Sequence, residues 1–200
     1  MEIEIKFGPV NRETAARIFA DPALALGPVA ITGMHTVYYD TPDRALRREQ
    51  ITLRLRKEGP RSVCTLKTGT IGPDGVARRV ELEQEAPDIL SGAAGLLVMP
   101  GLPEEVRPYL RTGQFVATCG ARFVRKEAEA VLEDVTFVLS HDQGALYAGD
   151  KTEPLSEIEL ELRTGTPEAL VREARRLAEV YGLQLCPDSK QKRAAALEDR

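Results

Sequence analysis

Tryptophan is absent from this 200-residue chain, and tyrosine and phenylalanine supply five residues each. A substrate that needs stacking or apolar groups at a binding mouth finds little to use here. Histidine occurs only at His35 and His141, too few for a histidine-rich metal centre or a Ser-His-Asp arrangement. The three cysteines, Cys64, Cys119 and Cys186, stand apart without CxxC spacing. That argues against a zinc cluster and a disulfide framework, and they read as reduced thiols. No apolar run approaches the ~20 residues of a membrane span, and no GxxxxGK[ST] phosphate loop is present. The chain begins directly in a charged strand, so no signal peptide is expected and the location is read as cytoplasmic. Its formal net charge is −4, which leaves no global basic field to draw it to nucleic acid. Any anion site has to come from locally gathered cations.

What is present is an ordinary globular balance, 42% hydrophobic and 29% charged residues, read as a single domain over 1–200. Strand signals dominate. Residues 2–7, 34–40, 51–57, 61–68 and 76–85 alternate charged or polar residues with aliphatic ones, or are rich in β-branched and aromatic residues. Further strands are expected at 114–119, 121–132, 134–140, 145–148 and 155–163, with Asp142-Gln143-Gly144 as a tight turn. Helices are expected at 88–98 and at Pro103 to Arg111. The clearest is 167–181, with Thr166 as N-cap, Pro167 at the first position and Gly182 beyond the end. A last helix near Pro187 carries Lys190, Lys192 and Arg193.

The strands have an unusual charged face. Side chains at i and i+2 share a face of a strand, so Glu2, Glu4 and Lys6 point one way, and Glu157, Glu159 and Glu161 do likewise. Like charges this close repel unless a cation neutralises them. Arg54, Arg56, Lys67, Arg79, Glu81 and Glu83 continue the pattern, each opposite an aliphatic face. One such strand would suit a solvated surface. Five of them suggest a closed antiparallel barrel with a polar lumen and helices over its apolar exterior. Polyphosphate chemistry uses both signs of charge together. Arg and Lys grip phosphate oxygens, and carboxylates hold hard divalent cations.

In chain order, Glu2-x-Glu4-x-Lys6, Tyr38-Tyr39-Asp40-Thr41-Pro42-Asp43, Leu53-Arg54-Leu55-Arg56, Thr65-Leu66-Lys67, Arg79-Val80-Glu81-Leu82-Glu83, Arg125, Asp142-Gln143-Gly144, Glu157-Ile158-Glu159-Leu160-Glu161 and Ser189-Lys190 resemble the motifs of the CYTH family, the triphosphate tunnel metalloenzymes. The ExExK element alone is weakly specific; the ordered set is strongly so. The tail departs from the pattern at Ala194, where the family often has glycine.

The resemblance implies an α+β fold, an eight-stranded antiparallel tunnel with a polar lumen and helices packed outside. It implies that Lys6, Arg54, Arg56, Lys67, Arg79, Arg125 and Lys190 bind the phosphate chain, with Arg122 a rival to Arg125. Glu2, Glu4 and Lys190 would serve the reaction itself. Glu159 and Glu161 would hold a metal, and Glu2 and Glu4 would sit near a second metal or the attacking water. Glu157, Glu4, Glu81, Glu83 and Asp142 would complete the shells, without fixing which acid serves which ion. The expected cofactor is Mg²⁺ or Mn²⁺, two ions with substrate bound. The expected reaction is hydrolysis of inorganic tripolyphosphate by a monomer or homodimer. The alternatives are a class IV-type adenylyl cyclase, a thiamine or nucleoside triphosphatase, and a non-catalytic polyphosphate-binding module.

Overall fold

The computed structural model describes residues 1–198. Eight antiparallel strands close into a barrel in the order β1-β5-β4-β3-β2-β6-β7-β8. They are β1 (Glu2–Phe7), β2 (Ala30–Asp40), β3 (Thr52–Glu58), β4 (Arg61–Ile71), β5 (Ala77–Glu85), β6 (Val116–Val131), β7 (Val135–Ala148) and β8 (Lys151–Gly165). Six helices pack outside: α1 (Arg12–Phe19), α2 (Ala45–Arg48), α3 (Ile89–Leu97), α4 (Arg107–Arg111), α5 (Pro167–Tyr181) and α6 (Lys190–Ala195). None is long and apolar enough to cross a membrane.

Alternation decides which way each strand faces. All six residues of β1 are buried, because Glu2, Glu4 and Lys6 line the lumen while Ile3, Ile5 and Phe7 join an outer core with Ile18 of α1 and Leu170, Ala174 and Leu177 of α5. A second outer core joins Leu53, Cys64 and Leu66 to Ala93 and Leu96 of α3 and to Val106 and Leu110. Helix ends follow from capping chemistry. Thr166 accepts from Ala169 N at 3.2 Å, Gly182 ends α5 with φ 66°, and Asn11 accepts from Thr14 N at 2.8 Å. Helix α6 lies at one end of the barrel. There Ala194, Ala195 and Leu197 meet Tyr38, Phe123, Leu146 and Leu155, which share the strand face of the lumen residues Arg125 and Glu157.

Several expected boundaries change. Asp142-Gln143-Gly144 is no turn but the middle of β7, where Gly144 pairs with Phe123 and Leu155. A Cβ on Gly144 would stand 2.1 Å from the Arg122 carbonyl oxygen, so glycine is needed there for close strand approach rather than for a reversal. The β7–β8 reversal falls instead at Gly149, with φ 57°. The strands expected at 114–119 and 121–132 are one, as are those at 134–140 and 145–148. The last helix starts at Lys190, three residues beyond Pro187, and α4 starts at Arg107 rather than Pro103. Helices α1 and α2 were not expected from the pattern. Each is short, and an eight- or four-residue segment offers few turns for periodicity to register.

Candidate active site in the barrel lumen

The lumen is a cavity of about 600 Å³. Of the fifteen residues singled out in the sequence, Glu2, Glu4, Lys6, Arg54, Arg56, Lys67, Arg79, Glu81, Glu83, Arg125, Glu159, Glu161 and Lys190 line it. Glu157 and Asp142 lie just behind, both fully enclosed. Arg125 is inside and Arg122 outside, where it stacks over the Tyr147 ring at 5.2 Å. Positions three apart on one strand face opposite ways, so only one of the two arginines faces inward.

The charges form two groups. In the first, Lys190 Nζ sits among Asp142 Oδ2 at 2.7 Å, Glu157 Oε1 at 2.6 Å and Glu159 Oε1 at 2.7 Å. Arg125 donates to both oxygens of Asp142 at 2.7 Å and to Glu159 Oε2 at 2.6 Å. Arg193 donates to Glu157 Oε2 at 2.7 Å. Burial by itself would lower the Lys190 pKa, but Asp142, Glu157 and Glu159 outweigh it and hold the ammonium well above its ordinary value. Burial would likewise raise Glu159 and Asp142. Lys190 and Arg125 reverse that in both, aided by Lys6 at Glu159, so both carboxyls lie below the usual range. At Glu157 burial prevails over Lys190 and Lys6, and its pKa is raised.

The second group is less well matched. Lys67 Nζ lies 2.7 Å from Glu2 and 2.9 Å from Glu81. Arg54 approaches Glu81 at 3.6 Å and Glu83 at 3.9 Å, and Arg56 pairs with Glu58 at 2.7 Å. Glu4 and Glu161 are register partners on adjacent strands. Burial raises the Glu161 pKa; Glu2 and Glu81 add to the rise and Arg163 opposes it. Two buried polar atoms here have no partner, Glu2 Oε2 and Arg54 Nε. Arg79 lines the lumen with no ion pair among the described residues. A buried polar atom without a partner is costly, and here an acceptor and a donor both stand open. The acceptor is an oxygen of the kind a hard cation takes; the donor fits an anionic oxygen.

Sequence reasoning missed some of the lining. Glu127 and Arg163 stand two residues beyond Arg125 and Glu161, so the same alternation pointed to them. Arg193 lies three residues after Lys190 on α6, a helical neighbour on the same face. Thr52, whose hydroxyl bonds Gln191, shares the strand face of Arg54 and Arg56 but carries no charge to single it out.

A model of the CYTH domain matches residues 1–195. An inorganic triphosphatase of Haemophilus influenzae is 32% identical over 138 residues, which is 66% of this chain and 37% of that protein. The chain therefore spans little more than a third of that relative's length. Among solved structures, a candidate adenylyl cyclase from Hippeastrum with a dominant triphosphatase activity aligns with TM-score 0.68 and 21% identity, covering 98% of this chain and 96% of that one. A candidate adenylate cyclase from Bacillus halodurans aligns with TM-score 0.56 and 18% identity over 94% of both chains. At these identities the two structures show likeness of fold.

Proposed function

The chain belongs to the CYTH domain family, and on that premise we propose that it hydrolyses a triphosphate inside the barrel, with inorganic tripolyphosphate as the substrate. The observation that carries this reading is a closed lumen lined by cations and carboxylates together, with a buried donor and a buried acceptor left open. The inorganic triphosphatase relative supports the reaction class.

Arg54, Arg56, Lys67, Arg79, Arg125 and Lys6 bind the phosphate oxygens, the arginines by paired donors. As the terminal phosphate departs, the same cations offset the charge it gains. Glu2, Glu4, Glu81 and Glu161 would hold a divalent cation, Mg²⁺ or Mn²⁺, which would supply Lewis-acid polarisation of a phosphoryl oxygen and a more acidic water. Glu2 or Glu4 takes the proton from the attacking water. Lys190 donates to Glu157 and Glu159 and pairs with Asp142, and acts by ordering them. No covalent nucleophile is required.

A nucleoside triphosphate is the second reading, favoured by Tyr38, a buried aromatic residue on the lumen wall. The deciding experiment compares phosphate release from tripolyphosphate, ATP, thiamine triphosphate and pyrophosphate, with Mg²⁺, Mn²⁺ or EDTA. Fast, EDTA-sensitive release from tripolyphosphate is expected. Cyclic AMP from ATP, or tight tripolyphosphate binding without turnover, would overturn the proposed reaction.

A further inference from the structure

Asp142, Glu157 and Glu159 offer carboxylate oxygens within 4.8 Å of one another, a spacing that a divalent cation would accept. That position is already filled. Lys190 donates to Glu157 and Glu159 at 2.6 and 2.7 Å and forms an ion pair with Asp142 at 2.7 Å. The remaining oxygens are also taken. Arg125 holds Asp142 Oδ1 and Glu159 Oε2 at 2.7 and 2.6 Å, and Arg193 holds Glu157 Oε2 at 2.7 Å. Three negative charges thus meet four positive ones, since Lys6 lies 4.0 Å from Glu157 and 3.9 Å from Glu159, and every oxygen of the trio has a protein donor. On the neighbouring strand β1 Glu2 Oε2 has no partner, and the nearest cation to Glu4 is Lys6 at 3.7 Å.

We propose that Asp142, Glu157 and Glu159 form a resident ammonium site, filled by Lys190, that excludes divalent metal and fastens α6 across the end of the barrel. A metal ion entering the trio would have to displace the Lys190 ammonium, which is buried and paired with all three carboxylates. An uncompensated ammonium in such surroundings is strongly disfavoured. Lys190 and Arg193 stand one turn apart on α6, so Glu157 receives one donor from each and binds the helix at two points. Ser189 fixes the start of that helix by accepting from Lys192 N at 3.1 Å. Divalent metal is thereby left to the lumen carboxylates outside the trio. The proposal concerns occupancy in the absence of substrate and does not depend on which triphosphate is hydrolysed.

The test is a Mn²⁺ titration at neutral pH without triphosphate, read as loss of the free-ion electron paramagnetic resonance signal. Wild type, Lys190→Met and Asp142→Asn are compared, with circular dichroism as the check on folding. Lys190→Met is expected to bind one more Mn²⁺ than wild type, and Asp142→Asn the same number as wild type. A folded Lys190→Met that gains no ion, or an Asp142→Asn that loses one, would overturn the proposal. Should Lys190→Met not fold, the Asp142→Asn comparison decides alone.

Discussion

At the scale of single residues, two lumen cations are predicted to behave differently when removed. Arg79 has no internal ion-pair partner among the described residues, whereas Lys67 neutralises both Glu2 and Glu81. Charge-assisted hydrogen bonds contribute about 1.5–3 kcal/mol, so Arg79→Met should lower kcat/KM for tripolyphosphate by roughly 10- to 100-fold and leave the unfolding midpoint in place. Lys67→Met should lower both, because it strands two carboxylates in the lumen wall. Steady-state kinetics beside thermal denaturation separates the two, and an equal stability loss in both variants would contradict the pairing. The Lys190 cluster predicts the pH dependence of stability. Asp142 and Glu159 lie below their ordinary values of 3.8 and 4.5, so their contribution is complete above those values and is lost as pH falls through the folded ones. Glu157, raised by burial, runs the other way and offsets part of that loss. Lys190 lies above 10.5, so its contribution is complete below 10.5 and is lost as pH rises further. Urea midpoints should therefore fall at the acid end as Asp142 and Glu159 protonate, and fall again as pH rises beyond 10.5. A midpoint that keeps rising below pH 4 would contradict it. The same scale shows what alternation made legible. Glu2, Glu4 and Lys6 share a face by counting alone, and Arg122 and Arg125 lie on opposite faces. Counting does not say which of those two arginines is inside.

At the scale of elements, the clearest misreading was Asp142-Gln143-Gly144. Glycine marks a turn when φ is positive, but it also marks a place where two backbones approach too closely for a Cβ, and the sequence is identical in the two cases. Gly144→Ala would set its Cβ 2.5 Å from Phe123 Cα and 2.1 Å from the Arg122 carbonyl oxygen. Neither neighbour is a flexible side-chain tip, so the strands have to shift. The expected cost is about 1–3 kcal/mol, or roughly 2–4 °C of melting temperature per kcal/mol for a chain of this size. Scanning calorimetry checks it, and a variant as stable as the parent would restore the turn reading. Helix α5 was legible because Thr166, Pro167 and Gly182 carry its ends and its apolar stripe is long. Helix α6 is six residues, and its position follows from Lys190 and Arg193 reaching Glu157 rather than from any pattern within it.

At the scale of the whole molecule, the lumen acids are largely neutralised by the protein's own cations, and part of the outer face of the barrel is buried beneath helices in two apolar cores. Stability should then rest on the barrel and not on bound metal. EDTA is expected to stop tripolyphosphate hydrolysis while leaving the thermal midpoint and circular dichroism unchanged; unfolding by EDTA would mean that the metal is structural. The strand-rich architecture, the charged and apolar faces of each strand and most of the charged residues lining the lumen were readable from the amino-acid order alone. They were readable because a period of two is a local property, written in every pair of neighbours. Only the tertiary structure decided how those charges divide. Lys190 and Asp142 are far apart in the chain, and their contact depends on barrel closure and on where α6 comes to rest. Whether a carboxylate is satisfied by lysine or left open is set by that long-range packing, which no local pattern encodes.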